Sequence, residues 1–258
     1  MKARIAVALS VLAILVATLH VSGSTLPVGW SFSLTSGDAA LAELIQNLLL
    51  FLPLGASLAL AGVRPLRAIA IGAGLSFTVE FIQQWLPGRD PSAGDIVCNT
   101  VSTAIGVALV VTAPRWLTVP ARRAAWQALA MALLAAAVWL GTGWLLSHPA
   151  RVRALTLEHP GGLGYTIGDG WKLLFYPEHC PAWAMTLLNA LWVGGWMLGV
   201  GYWGRLGGSG LVAVAVAVLG LLAVPGMTGL NATPGTEWVG AVLGIGVGWY
   251  LGLATASQ

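Results

Sequence analysis

Charge is what this chain has least of: 8% of its 258 residues are Asp, Glu, Lys or Arg, against about a quarter in a soluble domain. A water-facing surface cannot be built from so few. Cysteine is scarce as well, with only Cys98 and Cys180, so there is no paired Cys-x-x-Cys. Both fall at predicted outer helix starts, where a disulfide is permitted, although two independent buried thiols are the favoured reading. The chain also lacks a Gly-rich phosphate cradle and a Gly-x-Ser-x-Gly nucleophile elbow, which removes the commonest sequence signatures of nucleotide binding and serine hydrolysis. None of His148, His159 and His179 stands at metal-ligand spacing, and they read as solvated loop residues.

What is present is grease. Apolar residues make up 57% of the chain, with 34 glycines, 13 tryptophans and a mean hydropathy of +0.84. No stretch shows the period-2 alternation of a barrel strand. The fold class is therefore all-α: a polytopic membrane bundle of about eight transmembrane helices, near residues 5–21, 41–62, 66–86, 94–112, 125–147, 183–203, 208–228 and 237–254. Alternating the loops puts Lys2, Arg4, Arg64, Arg67, Arg115, Arg122, Arg123 and Arg205 on one face. By the positive-inside rule that face is cytoplasmic, which predicts both termini inside. Lys2 and Arg4 before an apolar run also fit a signal peptide. All nine acids, Asp38, Glu43, Glu80, Asp90, Asp95, Glu158, Asp169, Glu178 and Glu237, fall at or near the other face. Asp38, Asp90 and Glu158 read as surface charges. The net charge of +3 reflects topology and calls for no nucleic acid.

Displacing the sequence by 142 residues lays Asn47 on Asn189, Asp95 on Glu237 and Gly106 on Gly248. Four helices return the chain to its starting side, so a 4+4 tandem repeat would have parallel topology. The expected domains are a four-helix unit over 1–115 and a second over 116–258. In the second unit Leu222 answers Glu80, Pro225 answers Gln83, Asn231 answers Arg89 and Ala241 answers Asn99, so it is expected to keep the scaffold and lose the polar site. Its loop 148–182 gathers Tyr165, Trp171, Phe175 and Tyr176 around Lys172, the composition of an interfacial segment that caps one face.

The chemistry concentrates between residues 80 and 99. Lipid cannot satisfy polar groups, so each must be paired inside the protein or serve a function. Asn47 lies on the second predicted helix, Glu80 and Gln83 share a face near the end of the third, Arg89 follows the Pro87-Gly88 turn, and Asp95 and Asn99 stack at i, i+4 on the fourth. Arg89 suits an oxyanion such as a lipid phosphate or a carboxylate. Glu80 and Asp95 are the candidate catalytic acid/base pair, and Arg89, Asn47, Gln83 and Asn99 the candidate ligand-binding set. The motif establishes no metal and no cofactor, although two carboxylates with an amide could hold Mg²⁺ or Ca²⁺ through oxygen. The bland alternative is a paired network that locks three helices together.

These residues form the patterns Asn47-x3-Phe51-x-Pro53-x-Gly55 and Glu80-x2-Gln83-x5-Arg89-x5-Asp95-x3-Asn99-Thr100, with Gly106 further on. Over about residues 1–115 the chain resembles the VanZ-like family of bacterial membrane proteins, in which this four-helix unit commonly stands alone. Ser102 stands where that family usually has glycine, a departure that bears on how closely its helices pack. The family's namesake is associated with low-level resistance to the glycopeptide teicoplanin. The resemblance implies retention of the first helix and an envelope role. The partner would be a membrane lipid or lipid-linked envelope precursor, bound or modulated at the outer face. An enzyme acting on a phosphorylated lipid carrier, a transporter built on parallel repeats and a module that assembles partner proteins are the alternatives.

Overall fold

The computed structural model describes residues 2–21, 23–25, 29, 40–148, 164–173, 181–208 and 210–256, with side chains omitted at 40–45 and 255–256. Asp38, Glu158, Glu178, His159, His179, Phe175, Tyr176, Cys180 and the side chain of Glu43 lie outside the described residues. Secondary structure among the described residues is helical: α1 (Lys2–Thr18), α2 (Ala40–Leu60), α3 (Pro65–Gln83), α4 (Ala93–Leu117), α5 (Ala121–Leu146), a 3₁₀ helix (Ile167–Leu173), α6 (Ala182–Gly207), α7 (Gly210–Thr228) and α8 (Gly235–Ala256). The six helices from α3 to α8 are long and apolar enough to cross a membrane. α1 has 17 residues and the described apolar part of α2 is Gln46–Leu60, so among the described residues six of the eight expected spans meet both criteria. Large apolar side chains such as Leu66, Leu211 and Val242 face outward, as lipid permits and water does not.

Local chemistry explains several boundaries. Pro65 opens α3 at a position where its missing N–H costs nothing, and Pro120 and Pro181 immediately precede α5 and α6. Gly208, at φ 66°, closes α6 in the left-handed conformation that favours glycine. Ser92 caps α4 by accepting the Gly94 N–H at 3.0 Å, and Asp95 adds negative charge in the first turn.

The chain forms two compact units, Met1–Leu117 and Thr118–Gln258. In the first, α2 lies against α4, α1 packs on α2, and α3 packs on α4. Ile14, Phe51, Leu54, Leu58, Ala68, Val79 and Val107 make its apolar core. α2 and α4 approach so closely that a methyl at Gly55 would overlap the Thr103 carbonyl, and one at Gly106 the Leu52 carbonyl. Ser102 does not hold these helices apart: its hydroxyl donates to the Leu48 carbonyl.

The second unit is built around α6 and α8, with α5 against α6 and α7. Here a methyl at Gly201 would overlap the Ile245 carbonyl, one at Gly248 the Leu198 carbonyl, and one at Gly244 the Gly194 carbonyl. These contacts match the three of the first unit, residue for residue, if α4 maps on α8 at 142 residues and α2 on α6 at 146. The contact register of α6 is thus one helical turn from the single offset read in the sequence. The third helices differ further. α3 packs on α4, whereas α7 packs on α5, with Gly220 against Ala136 and Trp139, and makes at most marginal contact with α8 among the described residues.

Candidate functional site

The six candidate residues of the first unit fall into two groups. Gln83 and Arg89 serve the end of α1. Gln83 Nε2 donates to the Thr18 carbonyl at 2.9 Å, Arg89 Nη2 to Ala17 at 3.0 Å and Arg89 Nε to His20 at 3.1 Å. Arg89 Nη2 also lies 2.6 Å from His20 Nδ1. These are the carbonyls a helix leaves unsatisfied at its C-terminus. The α3–α4 turn is held to the chain after α1 by Gly88, whose N–H donates to Thr25 at 2.8 Å and whose φ is 77°. Gly23 faces it so closely that an added methyl would stand 2.8 Å from the Gly88 Cα. Arg89 is half-buried. Burial lowers its pKa and the nearby Glu80 carboxyl opposes that shift, so the guanidinium stays charged at neutral pH.

The second group bridges α2, α3 and α4. Glu80 is 3% exposed and accepts the Ser92 N–H at 2.8 Å, tying the end of α3 to the cap of α4. Asp95 accepts from Asn47 Nδ2 at 2.7 Å, joining α4 to α2. One turn deeper, Asn99 Nδ2 donates to Ser76 Oγ at 3.0 Å, while Asn99 Oδ1 is buried without a hydrogen-bond partner among the described residues. Asp95 and Arg89 both lie within electrostatic range of Glu80. Arg89 makes its hydrogen bonds to Ala17 and His20 rather than to Glu80, an arrangement that caps the end of α1.

Ser92, Ser76, His20 and the α1 carbonyls belong to this site and were not singled out by sequence. Ser92 had a readable signal, since Ser92-Ala93-Gly94-Asp95 precedes an apolar run in the manner of a capping box. For the α1 carbonyls no side-chain pattern exists to be read.

The second unit lacks the counterparts of Glu80, Gln83, Arg89 and Asn99 but carries a polar network of its own that the sequence reading missed. Glu237, fully buried, accepts the Thr166 hydroxyl and, at 3.0 Å, the Gly168 N–H. Asp169, 4% exposed, accepts the Thr166 N–H at 2.7 Å and Asn189 Nδ2 at 3.0 Å, and forms a salt bridge with Lys172. Trp171 Nε1 donates to Asn189 Oδ1 at 2.7 Å. Lys172 Nζ also stands 5.6 Å from the centre of the Tyr165 ring. The described part of the 148–182 loop is therefore tucked into its own unit, with Ile167, Trp171 and Leu173 buried. The reason is electrostatic: Glu237 and Asn189 supply partners that the polar groups of an interfacial segment would otherwise seek in water.

Among the described residues no cluster of three or more His, Cys, Asp or Glu could hold a metal ion. Cys98 is a buried free thiol. Trp85, Trp126, Trp144 and Trp183 are exposed near helix ends, as membrane anchors should be, whereas Trp139 is fully buried.

Residues 7–114 match the VanZ/LLP1 family model. The first unit is VanZ-like. Neither a curated protein nor a solved structure matches the chain.

Proposed function

We propose that this chain is a cell-envelope protein of the bacterial inner membrane, with both termini cytoplasmic, whose VanZ-like unit binds an anionic lipid-like or envelope-derived ligand at the outer face. The observation that carries the reading is the state of Arg89. Its Nε and Nη2 are fixed on three partners at the end of α1, and Nη1 meets no partner among the described residues. A charged fork already held in place gives up little freedom when an oxyanion arrives. Asn47, Gln83 and Asn99 would orient the ligand, and Glu80 and Asp95 would set the local charge. A role in susceptibility to glycopeptides such as teicoplanin belongs to this reading.

The test compares wild type with Arg89→Lys, purified in detergent from membranes holding equal amounts of protein, by mass spectrometry of bound lipid. Lysine lacks the fork, so the co-purified anionic lipid should fall about tenfold, the loss of roughly 1.4 kcal/mol from one charge-assisted contact. Equal lipid content overturns the proposal. Arg89→Lys protein that fails to accumulate assigns Arg89 to architecture instead.

One observation favours an enzyme as the second reading. Glu80 is held through a single oxygen by Ser92, the arrangement of a positioned acid/base. Turnover of a phosphorylated lipid carrier that disappears in Glu80→Gln would establish it. The matched glycine contacts of α2/α4 and α6/α8 support descent of the two units from one template. The different placement of α3 and α7 counts against the symmetric rocking of a transporter.

A further inference from the structure

We propose that the cleft between α3 and α4 in the first unit is a binding site for a single hard divalent cation, Ca²⁺ or Mg²⁺, held by Glu80, Asp95 and the Asn99 side-chain carbonyl. The inference goes beyond the lipid reading and does not rest on it.

Geometry supplies the first argument. α3 and α4 are adjacent, and the Asn99–Ser76 hydrogen bond fixes their register. Glu80 lies one turn beyond Ser76 and Asp95 one turn before Asn99, so in this antiparallel pair the two carboxyls occupy the same level directly above that bond. The Ser92 contact agrees, since it anchors Glu80 at the first turn of α4. The second argument is a buried acceptor. Asn99 is 2% exposed, its amide nitrogen is engaged by Ser76, and its Oδ1 lacks a partner. Such an oxygen in an apolar bundle is destabilising unless something meets it.

Glu80, Asp95 and Asn99 place side-chain oxygens on neighbouring turns, the donor type of a hard cation, with one oxygen of Glu80 already accepting from Ser92 and one of Asp95 from Asn47. Two carboxylates carry a charge that one divalent ion neutralises. Arg89, the nearest cation, is committed to α1. The second unit serves as an internal control. Leu222 and Ala241 replace Glu80 and Asn99 at the sequence offset, and its two described acids are satisfied, Glu237 by Thr166 and Gly168 and Asp169 by Thr166, Asn189 and Lys172. One ion per chain is therefore expected.

Full-length protein in detergent, stripped with EDTA and desalted, would be titrated separately with CaCl₂ and MgCl₂ by calorimetry, with thermal unfolding followed in parallel. Saturable binding of one ion per chain and a rise in Tm are expected, with the stronger response naming the ion. Glu80→Gln and Asn99→Ala should each weaken binding at least tenfold, whereas Glu237→Gln should leave the stoichiometry at one. Should Glu80→Gln fail to accumulate, Asn99→Ala supplies the same comparison. Wild type that binds neither ion at about 10 mM, or binding unchanged in the variants, overturns the proposal. Cation binding without a lipid difference in Arg89→Lys would sink the lipid reading alone, and the reverse result would sink the cation site alone.

Discussion

Glu80 and Glu237 are both buried carboxylates near one end of an apolar helix, yet the chain surrounds them in opposite ways. Glu237 is sealed: a hydroxyl and a backbone N–H come to it from its own unit's loop, and Asp169, Asn189, Lys172 and Trp171 close the network around them. Among the described residues Glu80 takes one backbone N–H, from Ser92, and shares its level with Asp95, one turn above the unmatched Asn99 oxygen. The helix pair beneath is built alike in both units. The difference lies in what the described connecting segments supply: the loop before α6 brings Thr166 and Gly168 to Glu237, whereas among the described residues Glu80 accepts one hydrogen bond, from the Ser92 N–H.

The shared scaffold is where the comparison breaks most violently. At Gly55 and Gly248 a Cβ would overlap a carbonyl of the facing helix, whereas Gly74 and Gly246 have nothing within 4 Å. Gly55→Val and Gly248→Val should each remove most folded protein from the membrane, because overpacking against backbone costs about 3 kcal/mol or more. Gly74→Ala and Gly246→Ala should change stability by less than about 1 kcal/mol, and alanine's better helix propensity gives their effect a stabilising sign. Immunoblots of membrane fractions with fluorescence-detected size exclusion would read both. Sensitivity in one unit alone would mean that the matched contacts do not do matched work.

The sealed site is the next target. A methyl at Gly168 would strike the Glu237 carboxyl and stand 2.6 Å from the Asn189 Cβ, so Gly168→Ala should displace the 3₁₀ segment at a cost of about 1–3 kcal/mol. Trp171→Phe is milder. It keeps the ring and deletes the N–H that satisfies Asn189 Oδ1, for about 1–2 kcal/mol. Both should speed proteolysis near residues 164–173 without reducing cation binding in the first unit. If cation binding falls with them, the two polar ends are energetically linked.

The helical class was legible because it follows from composition: so few charges leave lipid as the only solvent for most of the surface. The residue types of the first site were legible too, since polar groups stand out on apolar helices. Their partners were not. Gln83 and Arg89 bond to backbone carbonyls, and a carbonyl carries no sequence signature. The second site was missed for a related reason. Comparison at one fixed offset found Leu222 opposite Glu80, but it could not see that Asp169 and Lys172 enter from the connecting loop before α6, which is much longer than the loop between α1 and α2. A single offset also hid the one-turn shift of α6, because it was anchored on the Asn–acid match. Packing is set by glycines such as Gly201 and Gly248 instead.

The smallest expected effect is the sharpest test of whether the two helix pairs are equivalent. Ser102 occupies the place that Gly244 holds in the second unit, and each meets a carbonyl of the facing helix: Ser102 through its hydroxyl, Gly244 through direct backbone approach. Ser102→Gly therefore deletes one hydroxyl hydrogen bond, worth about 1 kcal/mol, and lowers helix propensity by a few tenths of a kcal/mol, while permitting the tighter approach that Gly244 already shows. These terms oppose each other, so the variant should stay within about 1 kcal/mol of wild type, read as the midpoint of thermal unfolding in detergent. The reciprocal Gly244→Ser must fit a side chain where even a methyl would overlap the Gly194 carbonyl, and it should be clearly destabilised. Equal tolerance at both positions would show that the matched contacts reflect shared spacing without shared packing.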